Sequence, residues 1–291
     1  MYIGIDLGGT NIALGLVDEK LDIVKKKKVA IIQGSSYEEI LDVIAKECKE
    51  IREGIELAGI GIGIPGIVDS DSQKIIFCDN LGWKNVDIVG DLKKVLMEDI
   101  HIANDADCAL YAEVLKGSAV GFKNVILFTL GTGVGSSVLL DGKIFLGGDK
   151  RGIELGHMTV EYEGESCSCG YKGCLESYAS ATALIRETKE PDAKTVFDQE
   201  DIKYKETIDR YYKYLAVGVR NGILAYRPDL VIIGGGISKQ GDKLSVRLRD
   251  EVKKIEMYFG NETATIKIAA LGNDAGIIGA AAMYRDNKKR R

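Results

Sequence analysis

The sequence has no excess of positive charge, no long apolar run and almost no proline. Lys and Arg total 39 against 44 Asp and Glu, a formal charge of −5. That balance speaks against non-specific binding to polyanions, so no nucleic-acid partner is expected. Gly, Asp or Asn interrupts the apolar stretches well before the ~20 residues a bilayer-spanning helix needs, so no membrane partner is expected either. Met1 to Asp6 carries no basic region ahead of an apolar one, which makes the expectation a cytoplasmic protein without a secretory signal. Only 3 Pro stand beside 35 Gly. This ratio assigns the glycines to tight turns and close backbone approach rather than to low-complexity linkers. With 45% hydrophobic and 29% charged residues over 291 positions, the composition is that of a globular chain of about two domains.

Strand-like and helix-like segments alternate along the chain, which predicts a layered α/β architecture. Tyr2 to Leu7 and Ile12 to Val17 read as strands around the turn Gly8-Gly9-Thr10. Leu21 to Ile32 reads as a third, with Lys25 to Lys28 as a solvated edge, the alternative being a contact for phosphate-bearing partners. Helical spacing from Ser36 to Arg52 follows, with Ser35 or Ser36 as cap. Leu57 to Ile64 is a buried strand ending at Pro65-Gly66. A helix near Val89 to Met97, a strand at Ile100 to Ala103 and a helix at Ala106 to Leu115 complete the first half. The second half opens like the first: strand Asn124 to Thr129, turn Gly131-Thr132-Gly133-Val134-Gly135, strand Ser137 to Leu140. This repetition suggests an internal duplication. Helices near Tyr178 to Glu187 and Lys205 to Tyr226, a strand at Leu230 to Ile233, a helix near Asp242 to Ile255, a strand at Thr265 to Ala269 and a helix at Ala275 to Tyr284 follow. Lys288 to Arg291 is expected to be a frayed end.

Glycine turns between strands leave backbone N–H groups bare, so a phosphate can approach without meeting a Cβ. Asp6-Leu7-Gly8-Gly9-Thr10-Asn11 offers this in a strand–turn–strand setting, which with the missing Gly-Lys-Ser/Thr excludes a Walker-type loop. Asp6 suits a hydrated Mg²⁺, which prefers oxygen ligands. One such turn is explained well enough as a hairpin. A second at Gly131 to Gly135 and a third cluster, Gly234-Gly235-Gly236, at the end of a buried strand favour a nucleotide site.

Of the six cysteines, Cys48, Cys78 and Cys108 are scattered, whereas Cys167, Cys169 and Cys174 crowd together after His157. In a reducing compartment the cluster reads as metal ligands before disulfides, and one His with three thiolates makes a closed tetrahedral Zn²⁺ site. A redox pair or three free cysteines are the alternatives. His101-Ile102-Ala103-Asn104-Asp105 joins a strand to a helix. Asn104 or Asp105 can simply cap that helix, or Asp105 can accept the proton of a hydroxyl attacking the γ-phosphate of ATP. Glu154 and Glu176 read, taken alone, as surface charges.

The Asp-Leu-Gly-Gly-Thr opening, the second Gly-Thr-Gly turn and the Gly-Gly-Gly strand end resemble the actin, sugar-kinase and heat-shock-chaperone ATPase superfamily. The segment Glu154 to Glu176 narrows the resemblance to the ROK family of sugar kinases and sugar-responsive repressors, and it runs from residue 2 to about 284. It implies a two-lobed actin-like fold of duplicated ribonuclease-H-like domains with a cleft between lobes. The implied domains are residues 1–116 with 275–291, and 117–274. It implies an ATP- and Mg²⁺-dependent hexose kinase acting on the 6-hydroxyl, glucose by default. N-acetylmannosamine, N-acetylglucosamine, fructose and allose share the motif set.

Asp105 is then the catalytic base. Gly66, Asn80, Asn104, Asp105, Glu154, His157 and Glu176 contact sugar. Asp6, Gly8, Gly9, Thr10, Asn11, Gly131, Thr132, Gly133, Gly235 and Gly236 bind nucleotide. His157, Cys167, Cys169 and Cys174 hold a structural zinc, with His157 serving zinc and sugar through its two ring nitrogens. Three departures stand out: Asn11 occupies a position where many members carry Lys, Ala103 one where an acidic residue is often seen, and the segment before Trp83 is shorter than usual. A homodimer is implied. A regulator of the same family would carry an amino-terminal helix-turn-helix, whereas here the first strand begins at Tyr2. A chaperone-like ATPase would need insertions this length does not hold.

Overall fold

The structure, a computed structural model, describes residues 1–255 and 264–290. Its strands and helices, in chain order, begin with β1 (Tyr2–Leu7), β2 (Asn11–Val17), β3 (Ile23–Ala30), α1 (Tyr37–Arg52), β4 (Gly59–Ile64), β5 (Ile67–Asp69), β6 (Lys74–Cys78), β7 (Trp83–Val86), α2 (Ile88–Leu92), β8 (Ile100–Asn104) and α3 (Asp105–Lys116). Then come β9 (Val125–Leu130), β10 (Val134–Leu140), β11 (Lys143–Ile144), α4 (Glu176–Ala179), α5 (Ala181–Thr188), α6 (Ala193–Asp198), α7 (Lys205–Tyr226), β12 (Leu230–Gly234), α8 (Asp242–Lys254), β13 (Thr265–Ile268) and α9 (Ala275–Arg290). Two compact units divide the chain. One holds Met1–Gly117, Leu146–Gly152 and Asn273–Arg291; the other holds Ser118–Phe145 and Ile153–Gly272. Among the described residues no helix is long and apolar enough to cross a membrane.

Each unit rests on a five-stranded sheet of the same plan, β3-β2-β1-β4-β8 in the first and β11-β10-β9-β12-β13 in the second. In both, the first two pairings are antiparallel and the last two parallel. The sequence of β4, Gly59-Ile60-Gly61-Ile62-Gly63-Ile64, shows why two-sided cover is possible. Period-2 alternation sends Ile60, Ile62 and Ile64, each at most 1% exposed, into one core with Ile40 and Ile44 of α1. The opposite face is glycine, and α9 lies directly on it. A Cβ at Gly61 would fall 1.9 Å from the Ala280 carbonyl oxygen, and one at Gly4 1.9 Å from that of Ile277. Glycine here permits backbone contact between helix and sheet. The second core packs Phe128, Val138, Tyr211, Leu215 and Val231 between the β9 sheet and α7.

Ser36 caps α1 through a capping box: its Oγ accepts from Glu39 N at 3.2 Å, while Glu39 Oε2 accepts from Ser36 N at 2.7 Å. Several expectations need correction. The helix expected to Met97 ends at Leu92, and the backbone continues in turns, with Lys94 N donating to Asp91 O and Val95 N and Leu96 N both to Leu92 O. The helix expected across Tyr178 to Glu187 is broken at Ser180, whose extended backbone separates α4 from α5. The three-stranded sheet β5-β6-β7 and α6 were not foreseen. The carboxyl end is helical through Arg290, not frayed from Lys288. Tyr111 donates to Asp286 at 2.7 Å, Asn287 meets the His101 ring at 3.1 Å, and Lys288 donates to the Ala58 carbonyl at 3.3 Å. Arg291 lies outside the described residues.

Candidate active site

In the first unit the parallel register aligns Asp6 with Gly63, Gly63 with Ala103 and Ile64 with Asn104. The carboxyl ends of β1, β4 and β8 therefore deliver the Gly8-Asn11 turn, the Gly63-Gly66 segment and the Asn104-Asp105 pair to one edge of one sheet. That edge is where open α/β sheets bind ligands. The turn is closed by Gly8 N donating to Asn11 O at 2.8 Å, and Asn11 Nδ2 donates to Thr10 Oγ1 at 2.8 Å. Asn80, exposed on a short 3₁₀ turn (Asp79–Leu81), stands against this turn: a Cβ at Gly9 would lie 3.1 Å from that of Asn80. Gly66 adopts φ +114°, and a Cβ there would fall 2.4 Å from the Phe77 carbonyl oxygen, so no other residue fits without moving β6.

Asn104 caps α3, its Oδ1 accepting from Ala106 N at 2.8 Å and Asp107 N at 3.2 Å. Its amide also donates to Gly66 O at 2.9 Å. One side chain thus ties the helix that starts with Asp105 to the Gly66 loop, leaving a single amide hydrogen for a ligand. Asp105 is partly buried, and its Oδ1 accepts from Ala106 N at 2.9 Å. Asp6 packs against the start of α9, where a Cβ at Gly276 would fall 2.6 Å from its carboxyl carbon. Burial raises the Asp6 pKa above the ordinary aspartate value, and the positive charge of Lys28 opposes that rise. His101 is a packing residue against Asn287 of α9.

In the second unit Gly131 N donates to Gly133 O at 3.0 Å, and open space lies beside Gly131. α5 holds this turn from behind: Ala181 N donates to Gly131 O at 2.8 Å and Thr182 Oγ1 to Thr132 O at 2.7 Å. The third glycine cluster lies beside it. β12 pairs with β9, Gly234 facing Thr129, and a Cβ at Gly235 (φ +80°) would fall 2.5 Å from Leu130 O. Gly236 is open.

Glu176 joins the second turn to the cysteine loop. Its Oε2 accepts from Val134 N at 2.9 Å, and a Cβ at Gly133 would sit 2.3 Å from that oxygen. Its Oε1 lies 3.9 Å from Cys167 Sγ. Glu154 opens to solvent, yet burial of its carboxyl raises its pKa. The His157 charge lowers it and the Glu176 charge raises it further, which places the three side chains within electrostatic reach of one another.

The donor atoms of His157, Cys167, Cys169 and Cys174 all lie within 4.8 Å of one another. Cys167 Sγ is 3.5 Å from His157 Nδ1, and Cys169 Sγ is 3.6 Å from Cys174 Sγ. A tetrahedral ion with metal–sulfur bonds of about 2.3 Å spaces its sulfurs about 3.8 Å apart, so the donor set has the size and chemistry of such a site. Nδ1 faces the cysteines, which turns Nε2 away from them. Gly173 makes the fold of the loop possible, with φ +74° and a would-be Cβ 1.8 Å from Glu161 O.

Two partners of the site escaped sequence reasoning. Val134 N and Ala181 N lie 42 and 50 residues from Glu176 and Gly131 respectively, and no local pattern relates them.

The model of the ROK family matches residues 2–287. A glucokinase from Thermotoga maritima is 35% identical, over 98% of this chain and 97% of that protein. An N-acetyl-D-glucosamine kinase from Shigella flexneri is 30% identical over 98% and 99%. Among solved structures, a ROK family glucokinase from Streptomyces griseus in complex with glucose and AMPPNP superposes with TM-score 0.87 at 28% identity, covering 98% of this chain and 99% of that one.

Proposed function

We propose, from the premise that this chain belongs to the ROK family, that it is an ATP-dependent sugar kinase converting glucose to glucose 6-phosphate. The observation that carries the reading is the shared edge of β1, β4 and β8, which sets a phosphate-sized glycine turn, Asn80 and Asp105 around one end of one sheet. The similarity to glucokinases exceeds that to the N-acetylglucosamine kinase, which places glucose ahead of N-acetylated sugars.

Phosphoryl transfer needs positioning and charge neutralisation more than covalent help. The 6-hydroxyl oxygen attacks the γ-phosphorus, the bond from phosphorus to the ADP oxygen breaks, and Asp105 takes the hydroxyl proton. Each glycine turn offers backbone N–H groups to phosphate oxygens, with Asp6 disposed toward the hydrated Mg²⁺ of MgATP. Gly235 and Gly236 leave room for the nucleoside. Glu154, Glu176 and His157 Nε2 take sugar hydroxyls, each carboxylate accepting two or more.

His157, Cys167, Cys169 and Cys174 would hold zinc, which when bound supplies a rigid cross-link and no chemistry, since four protein ligands leave no open position. The chain's own part is then to present Glu176 and His157 from a loop fixed at both ends. We place the reaction in the cytoplasm, where thiolates stay reduced, and expect a homodimer, to be checked by sedimentation.

Coupled ADP release with MgATP, run across glucose, fructose, mannose, allose, N-acetylglucosamine and N-acetylmannosamine, tests the assignment. Fastest turnover on glucose supports it. Silence on every sugar from folded protein removes it.

A further inference from the structure

The run Lys25 to Lys28 has no part in the reaction described so far. It fills β3, the edge of the first sheet, and strand alternation divides it between two faces. Lys25 pairs with Glu53, and Lys27 with Glu47 and Glu50 of α1. Lys26, on the opposite face, pairs with Asp274 at 3.0 Å, immediately before α9. Three of the four are thus neutralised by neighbouring carboxylates. Lys28 differs: among the described residues no carboxylate lies within ion-pair distance of it.

Its register explains why it is left over. Asp6 faces Ala13 across β1 and β2, and Ala13 faces Lys28 across β2 and β3. Directly paired residues share a face, so Asp6, Ala13 and Lys28 form one row on the α9 side of the sheet. Two strand spacings, about 10 Å, separate the ends of that row, a gap an extended lysine stem crosses over the small Ala13. The electrostatic influence of Lys28 on the buried Asp6 carboxyl agrees with that direction. The same strand is tied to the glycine turn, since Ile31 N donates to Thr10 O at 2.9 Å and Ala30 pairs with Asn11.

The turn itself, Gly8-Gly9-Thr10-Asn11, contains no cation. Backbone N–H groups can cradle phosphate oxygens, but a triphosphate carries charge that an ammonium neutralises more effectively. Lys28 is the cation of this row, and among the described residues no carboxylate lies within ion-pair distance of it. We propose that Lys28 is the phosphate-binding cation of the first turn, its ammonium taking an oxygen of the MgATP phosphates above Ala13, alongside the N–H groups of Gly8 to Asn11. This rests on the kinase reading above and adds to it the residue that supplies charge from a neighbouring strand rather than from the turn. Lys28 is a binding and positioning group; Asp105 remains the proton acceptor.

The test is steady-state kinetics on the full chain with MgATP and the best sugar. Lys28→Met, which keeps the apolar stem, is expected to raise the KM for MgATP about tenfold, with the sugar KM within about twofold, because one charge-assisted contact is lost from one substrate only. Lys28→Arg is expected to recover most of the MgATP affinity. Lys26→Met, on the same face but paired with Asp274, is the control expected to leave both KM values within about twofold. Thermal melting of each variant separates a structural role, since a merely stabilising lysine would move Tm without splitting the two KM values. Lys28→Met with an unchanged KM for MgATP, or Lys26→Met matching it, overturns the assignment. Wild-type protein that turns over no sugar overturns the kinase reading itself, a different result from an active wild type with an indifferent Lys28.

Discussion

The two units share a sheet plan and a glycine turn but differ in what surrounds the turn. Counting back from the glycine, Asp6 in the first unit corresponds to Thr129 in the second. Asp6 faces Gly63 across β1 and β4, and Thr129 faces Gly234 across β9 and β12. The outer strand is the long β3 with its lysines in one case and the two-residue β11 in the other. The first turn stands beside a carboxylate and the start of α9; the second is backed by α5 and clasped from the side by Glu176. One scaffold, used twice, thus supports a turn set between Asp6 and a lysine-bearing edge strand and a turn braced by α5 and the Glu176 carboxylate. On the proposed reading, the proton acceptor and the phosphate-binding cation fall to the former and the sugar-binding loop to the latter.

The sharpest way to break this division is Asp105→Asn. The expected loss is on the order of 10²–10⁴ in kcat with sugar binding retained, since only the proton acceptor is removed. Isothermal titration with sugar alongside turnover checks both halves. Near-normal turnover would take Asp105, and the chemistry, out of the first unit.

Cys169→Ser comes next. Cys169 is exposed, and an exposed Cys-to-Ser change in a metal-free loop should shift stability by no more than about 0.5 kcal/mol. As a ligand of structural zinc its loss should cost more than about 2 kcal/mol and weaken sugar binding with it, because the loop carrying Glu176 and His157 is released. Metal analysis should find about one zinc per chain in the wild type and little in the variant. An unchanged melting curve would leave the second unit's loop held by hydrogen bonds alone.

A smaller effect separates the units by pH. Burial raises the Asp6 pKa, so the folded state favours its protonated form. The contribution to stability is therefore full below the ordinary aspartate pKa and is lost as pH rises through the raised value. Asp6→Asn should remove that fall in denaturant-derived stability across this window. Thr129→Val, at the corresponding place in the second unit, should leave the slope as it was. Equal slopes in wild type and Asp6→Asn would show that the first turn's carboxylate is solvated in both folded and unfolded chains.

Much of this asymmetry was legible in local sequence and some of it was not. Strand, glycine turn, strand is a pattern within about fifteen residues, and the Gly-Ile alternation of β4 announces a strand buried on one side and closely approached on the other. His157 with Cys167, Cys169 and Cys174 carries its geometry in its spacing. The partners of these features are distant in sequence, and spacing says nothing of them. Glu176 reads as a surface charge until the fold brings Val134 N to it, and Asn104 reads as a cap until Gly66 O takes its amide. The polar end of α9 looks like a tail because its supports, Tyr111, His101 and Ala58, lie in other elements. Lys28 is indistinguishable from Lys26 in the sequence, and register plus the position of Asp274 tell them apart.

The finest test uses one chemical deletion at two helix caps. Ser36 Oγ caps α1 in the first unit at 3.2 Å from Glu39 N, and Ser180 Oγ caps α5 in the second at 3.0 Å from Ala183 N. Each Ser→Ala change should cost about 1 kcal/mol of stability in denaturant titration. Their kinetic consequences should differ, because α1 lies under the apolar side of its sheet, whereas the first residues of α5 hold the second turn by Ala181 N and Thr182 Oγ1. Loosening α5 should displace Gly131 and Thr132 and raise the KM for MgATP roughly threefold, as small losses of positioning do. Loosening α1 by the same free energy should leave it unchanged. If Ser36→Ala raises the MgATP KM as much, the effect follows stability rather than position, and the bracing of the second turn by α5 contributes nothing specific to nucleotide binding.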